Sequence, residues 1–439
     1  MDSVDVGIAS LVLIVVMIYA GVYITVALGL VSFLGVWYLR DNFDVAVNLL
    51  TQSAADTIHH EVFAAIPLFA LMGFIVSVAG LGQDIYQVAN FVFYKVRGGL
   101  GIATVAANAI FASVTGSSIA SASVFTRVSV PEMRRYGYEP RFSVGVVAGS
   151  SVLGMLIPPS NMLIIYAIVT EQSVGQLFIA GIIPGLILAV AYAAAILAMA
   201  YFMPRFVGGQ APAAFDDAPW RTMTVAQAAS KLAPVVLLVG VVLGGIYGGV
   251  VTPTEAGAAG SAVALLIAIA RRRMTPAKLW SVLVETGHIT AAILFLLIAA
   301  SIYTRMLGIA GLPSQFGEWL AGLELSLGEL MAFYVVLMVV MGTIIETASI
   351  ILIVVPLFLP AIEAFGADVV WFGIVTVVGA EIGLLTPPLG ISCFVIKSTI
   401  NDPTISLRDI FAGAFPFACI MLIVLILLIA LPQLSLALL

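Results

Sequence analysis

The chain has 439 residues, of which 62% are apolar and only 9% charged, with a mean hydropathy of +1.19. A soluble domain carries about 25% charged residues, so this chain cannot cover a water-facing surface of its size and reads as an all-α integral membrane protein. Its 17 Lys and Arg against 23 Asp and Glu, net −6, exclude a nucleic-acid binder. Cys393 and Cys419 both lie in apolar runs and form neither a disulfide framework nor a metal-ligand spacing.

A spanning helix needs about 20 apolar residues. Met1 to Gly7 carries Asp2 and Asp5 and no base, unlike a secretory signal, so the first apolar segment is expected to stay. Apolar runs predict spans near 6–22 and 25–39, an amphipathic stretch 40–60, a span near 61–80 and a second amphipathic stretch 81–97. An apolar pair 98–131 broken around Gly116 follows, then a span 141–170 broken around Pro158 and Pro159, and a span 176–203. Residues 204–230 form the one long polar linker. The second half repeats the order: spans 231–250 and 254–270, a basic stretch 271–282, a span 283–310, a pair 328–362 broken around Gly342, a span 369–400 broken around Pro387 and Pro388, and a last span 406–437. The stretches 40–60, 81–97 and 271–282 read as arms lying in the membrane interface.

Lys and Arg in short loops mark the cytoplasmic side. Lys95, Arg97, Arg134, Arg135, Arg141, Arg205, Arg221, Lys231, Arg271, Arg272, Arg273, Lys278, Lys397 and Arg408 fall on one face if each broken pair enters and leaves the membrane on the same side as a re-entrant hairpin. The other loops then carry acids, among them Asp41, Asp44, Asp56, Glu171, Glu255, Glu318, Glu324, Glu329, Glu363 and Asp368, with Arg40 the one base between them. Each half makes five crossings and one hairpin. An odd number inverts the second half, 226–439, relative to the first, 1–225, and puts both termini on the side away from the cytoplasm.

Residue landmarks support the repeat. Gly149-Ser-Ser-Val-Leu-Gly154-Met-Leu-Ile-Pro158-Pro159 aligns with Val378-Gly-Ala-Glu-Ile-Gly383-Leu-Leu-Thr-Pro387-Pro388, and Ala180-Gly181-Ile-Ile-Pro184 with Ala412-Gly413-Ala-Phe-Pro416. Gly116-Ser117-Ser118 falls opposite Gly342-Thr343-Ile344. Proline removes a backbone donor, and carbonyls freed at membrane depth must be met by protein, water or an ion. Carbonyl and hydroxyl oxygens at a break between half-helices suit a hard monovalent cation such as Na⁺, while half-helix N-termini can hold an anion.

Taken together, Val114-Thr-Gly-Ser-Ser118, Gly154-Met-Leu-Ile-Pro-Pro-Ser160 and Gly383-Leu-Leu-Thr-Pro-Pro388 resemble the large membrane subunit of the tripartite ATP-independent periplasmic (TRAP) transporters, over essentially the whole chain. The resemblance implies a Na⁺-driven elevator in the bacterial inner membrane, with both hairpins and both broken helices as the transport domain and the other spans as scaffold. It implies two partners, a small four-helix membrane subunit and a periplasmic substrate-binding protein delivering an organic acid. Carried over by position, one sodium site uses Ser117, Ser118, Gly154, Ile157 and Pro159, and the second Gly342, Gly383, Thr386 and Leu389. The substrate lies between the hairpin tips, with Ser160 and Asn161 as candidate contacts.

Four charges resist the loop assignment. Glu346 and Glu381 lie near the second tip and could pair structurally or take part in coupling; Arg305 could meet a carboxylate substrate or snorkel to the interface; Arg127 is expected to face the cytoplasm. A stand-alone sodium- or proton-coupled dicarboxylate symporter is the alternative. An intramembrane enzyme would need Ser117 or Ser118 to converge with His288, and no acid or base sits at catalytic spacing to either serine. His59, His60 and His288 show no metal-ligand pattern.

Overall fold

A computed structural model describes residues 3–59, 61–209, 220–400 and 402–439; Asp2, His60, Asn401 and the linker residues 210–219 lie outside it. The chain is helical almost throughout. Among the described residues, seven helices are long and apolar enough to cross a membrane, or eight if the bent pair Pro140–Leu156 and Asn161–Thr170, at 41°, is one span. Ten crossings were expected from the sequence. The helices Ser3–Tyr19 and Ile24–Arg40 have 17 residues each, about 26 Å by the helical rise and short of a roughly 30 Å hydrocarbon core, and the second broken helix is cut into Val369–Gly383 and Ile391–Thr399.

The two apolar pairs form helical hairpins with tight tips, Gly99–Thr115 with Ser118–Arg135 and Leu327–Gly342 with Thr347–Ala364. Gly116 ends its helix at φ 58°, a left-handed conformation that glycine adopts without a Cβ penalty. Each broken helix carries its proline pair in the non-helical link between its two segments.

The halves interlock through matching contacts. The first limb of each hairpin lies on the broken helix of its own half. The second limb lies on the far segment of the other half's broken helix: Ser118–Arg135 on Ile391–Thr399, and Thr347–Ala364 on Asn161–Thr170. Likewise Pro140–Ser151 packs on the last span, Leu407–Ala430, while Val369–Gly383 packs on Val174–Phe202. Away from the hairpins, Ala65–Val78 lies against Pro253–Ala270, and Pro276–Ala310 against Ile24–Arg40.

Two elements depart from the sequence reading. The basic stretch 271–282 is not a separate arm: Pro276–Ala310 is one helix of 35 residues, about 52 Å long, because nothing breaks it between Pro276 at its start and Gly311 (φ 74°) at its end. A helix Leu312–Gly322 then precedes the second hairpin, as Leu81–Phe93 precedes the first. Its Pro313 and Gly317 hid it, yet Ala79-Gly80-Leu81 and Ala310-Gly311-Leu312 are the same tripeptide, and both glycines sit at φ 74°.

Ion pairs gather many of the charges. Asp84 binds both Lys231, at 2.9 Å, and Arg271, tying the helix Leu81–Phe93 to two spans of the second half. Arg134 pairs with Asp402 and Arg141 with Asp409, at 2.6 Å in the latter. The described ends of the linker are stitched to the base of the first hairpin: Glu139 N donates to Val207 O, Gly209 N to Gly137 O, and Trp220 Nε1 to Glu132 Oε1 at 3.1 Å.

Candidate functional site

Each hairpin tip presses against the break of its own half's helix. At the first, a Cβ on Gly154 would lie 2.9 Å from the carbonyl carbon and oxygen of Ser117 and 3.1 Å from Ser118 N, and a Cβ on Gly116 would overlap Pro159 O. Asn161 N donates to Gly116 O at 3.4 Å. At the second, Gly342 and Gly383 meet backbone to backbone, so that a Cβ on either would overlap the other, and Leu389 N donates to Thr343 O at 3.1 Å. In both halves a backbone N–H just past the proline pair thus holds a carbonyl of the tip.

The prolines free particular oxygens. Pro158 and Pro159 cannot donate to Gly154 O and Met155 O, their i−4 carbonyls. Ser160 Oγ takes up Met155 O, and Gly154 O keeps no helical donor. In the second half Pro387 removes the i−4 donor of Gly383 O, which accepts from Thr386 N at 2.9 Å instead and retains a second lone pair. Thr386 Oγ1 donates to Ile382 O at 2.8 Å, leaving its own lone pairs.

The first tip gathers Ser117, Ser118, Gly154 and Pro159, with the half-buried Ile157 in the same link. Ser117 caps its helix by accepting from Ala120 N. Ser118 Oγ, Ser121 Oγ and Asn161 Oδ1 are buried without a partner. Uncharged carbonyl and hydroxyl oxygens in want of partners fit a hard monovalent cation. The second tip brings together Gly342, Gly383 and Leu389, with Thr386 one turn from Gly383. It is the more open of the two: Pro387, Pro388 and Leu389 are exposed where Pro158, Pro159 and Ser160 are buried.

Two candidate substrate contacts are engaged elsewhere. Ser160 caps Asn161–Thr170 by accepting from Leu163 N while donating to Met155 O, so its hydroxyl is committed to the break. Arg305 donates to Asp56 Oδ2 at 2.6 Å, which fastens Pro276–Ala310 to the amphipathic helix Phe43–His59. Asn161 keeps its free carbonyl oxygen beside the first tip. Glu346 is the N-cap residue of Thr347–Ala364, without a side-chain capping bond, and its side chain is exposed. Glu381 is fully buried. Arg127 is exposed on the second limb of the first hairpin.

Sequence reasoning missed a pair of polar bonds. Asn108 Nδ2 donates to Ser150 Oγ at 2.6 Å, and Tyr334 OH lies 2.8 Å from Thr376 Oγ1. Asn108 and Tyr334 stand at the same distance before their tip glycines, and each partner follows 42 residues later. The residue types differ between halves, which hid the correspondence; a polar group inside an apolar limb was the signal that could have found it.

The family model for the tripartite ATP-independent periplasmic transporter, DctM component, matches residues 11–434. The C4-dicarboxylate TRAP transporter large permease protein DctM of Pseudomonas aeruginosa is 34% identical over 394 residues, 90% of this chain and 90% of its own length. The isethionate TRAP transporter permease protein DctMQ of Oleidesulfovibrio alaskensis is 30% identical over 87% of this chain and 58% of its own length. Among solved structures, the YdaH transporter of Alcanivorax borkumensis shares the fold, with a TM-score of 0.62 at 15% identity, covering 88% of this chain and 89% of its own.

Proposed function

The chain belongs to the DctM-component family of tripartite ATP-independent periplasmic transporters, and from that premise we propose that it is the permease of a Na⁺-coupled importer for an organic acid handed over by a periplasmic substrate-binding protein. The observation that supports sodium coupling is the pair of tip-to-break contacts, each built from glycine backbones and proline-freed carbonyls. Carbonyl and hydroxyl oxygens of this kind are the ligands that a hard monovalent cation takes. One ion would sit among Ser117, Ser118, Gly154, Ile157 and Pro159, the other among Gly342, Gly383, Thr386 and Leu389. Cation binding would tighten each tip onto its break and shape the space between the tips, where Asn161 meets the acid.

Both hairpins and both broken helices interlock across the halves, and this supports their moving together as a transport domain. The helices that pack among themselves, from Ser3–Tyr19 through Ala65–Val78 and Val225–Tyr247 through Pro276–Ala310, would form the scaffold of an elevator in the bacterial inner membrane. The small four-helix membrane subunit would lie against that scaffold; the DctMQ relative, of which this chain covers 58%, has length to spare for such a component. Relatives at 34% and 30% identity are named for different substrates, so the proposal stops at an organic acid.

Proteoliposomes holding this chain and its small subunit are expected to take up the acid only with an inward Na⁺ gradient and the binding protein present. Equal uptake driven by a proton gradient in Na⁺-free buffer would overturn sodium coupling. Uptake without any binding protein would instead make the chain a stand-alone symporter.

A further inference from the structure

The two tips are alike in backbone and unlike in charge. Where the first hairpin has Ser118, whose buried hydroxyl lacks a partner, the second has Ile344; where the first broken helix has Val152, the second has Glu381. Glu381 is 0% exposed. Its Oε1 accepts from Thr347 Oγ1 at 2.9 Å, at the first residue of the hairpin's second helix, and its Oε2 is buried with no hydrogen-bond partner. No ion pair among the described residues includes it. The titratable groups in electrostatic reach are Glu346 and Tyr192, neither of them a cation, and the Tyr192 hydroxyl is itself buried without a partner. Three residues of this helix end meet the tip, since Ala380 O and Gly383 crowd Gly342 while Glu381 meets Thr347.

A carboxylate sealed away from water must take up a proton or find a counter-charge, and the described residues place no cation beside it. We propose that Glu381 is the charged partner of the cation at the second hairpin, its carboxylate providing there the oxygen that Ser118 provides at the first. Thr347 holds one carboxylate oxygen at the tip and leaves the other for the ion. A tip that lacks the serine pair thereby keeps its cation, and the bound ion neutralises the buried carboxylate. This rests on the sodium reading above and assigns to one site a residue outside its backbone set.

The test uses purified protein in detergent, with ²²Na⁺ binding at equilibrium and the thermal unfolding midpoint followed against NaCl, choline chloride holding ionic strength constant. Wild type is expected to bind ²²Na⁺ and to gain stability with it. Glu381→Gln is expected to bind one ion fewer and to lose at least tenfold in apparent Na⁺ affinity, Glu381→Asp to restore part of both, and Ser118→Ala to weaken binding while Glu381 remains. If wild type binds no Na⁺, the sodium reading fails and this inference with it. If wild type binds and Glu381→Gln matches it in stoichiometry and affinity, the inference alone is overturned. Should Glu381→Gln not fold, Thr347→Val leaves the carboxylate and removes only its holder; a severalfold loss of affinity is expected, and unchanged affinity would overturn the proposal equally.

Discussion

Gly154→Ala and Gly383→Ala are each expected to lower sodium-driven uptake about 10- to 100-fold while the protein still reaches the membrane. The added methyl at Gly154 would stand 2.9 Å from the Ser117 carbonyl, and at Gly383 it would overlap the Gly342 backbone. Both obstacles are main chain, so no rotamer change relieves them. Overpacking of this kind costs about 1–3 kcal/mol, and 1.4 kcal/mol is a tenfold change in an equilibrium. That cost falls on the closed tip, the state in which carbonyl and hydroxyl oxygens surround the ion, and not on the helices that carry it. Gly240→Ala, with nothing within 4 Å of the new methyl, serves as the control and should transport like wild type. Uptake within twofold of wild type for both tip variants would show that the tip contacts do not matter to transport.

Gly145→Val is expected to remove about 3 kcal/mol or more of stability, seen as a lower unfolding midpoint in detergent or as loss of protein from the membrane. Gly145 and Gly413 touch backbone to backbone where Pro140–Ser151 crosses the last span, and a turn later Gly149 lies under the Phe417 ring. Lipid tails are as apolar as the side chains they replace, so helices in a bilayer associate through close packing, for which small residues let backbones meet. A branched side chain at the closest point would drive the two helices apart over their whole contact. Gly287→Ala, in open surroundings, should leave the midpoint unchanged, and an unchanged midpoint for Gly145→Val would show that this crossing does not hold the halves together.

How much of this could be read from the residues follows from which of them punctuate helices. Gly116, Gly342 and the two proline pairs located both hairpins and both breaks, because a missing Cβ or a missing donor acts locally wherever the chain folds. Charge left a local trace: Lys231 and Arg271, expected on one face, converge on Asp84. What stayed hidden depended on partners distant in sequence. Arg305 meets Asp56 across 249 residues, and no local pattern distinguishes that from a substrate contact. Ser160 read as a candidate substrate contact, and its bonds to Leu163 N and Met155 O as a helix cap depend on where the break folds. Leu312–Gly322 escaped because Pro313 at a helix start looks like a breaker unless the preceding Gly311 is recognised as the end of another helix.

The central claim is that two like modules, each a hairpin tip closed on a proline-broken helix, stand in opposite orientations in one membrane. Arg135 and Glu363 near the ends of their hairpins are both exposed, so single cysteines there, with Cys393 and Cys419 replaced, report the two orientations directly through a membrane-impermeant thiol reagent. The account predicts labelling of Arg135→Cys only from the cytoplasmic side and of Glu363→Cys only from the periplasmic side; labelling of both from the same side would contradict it.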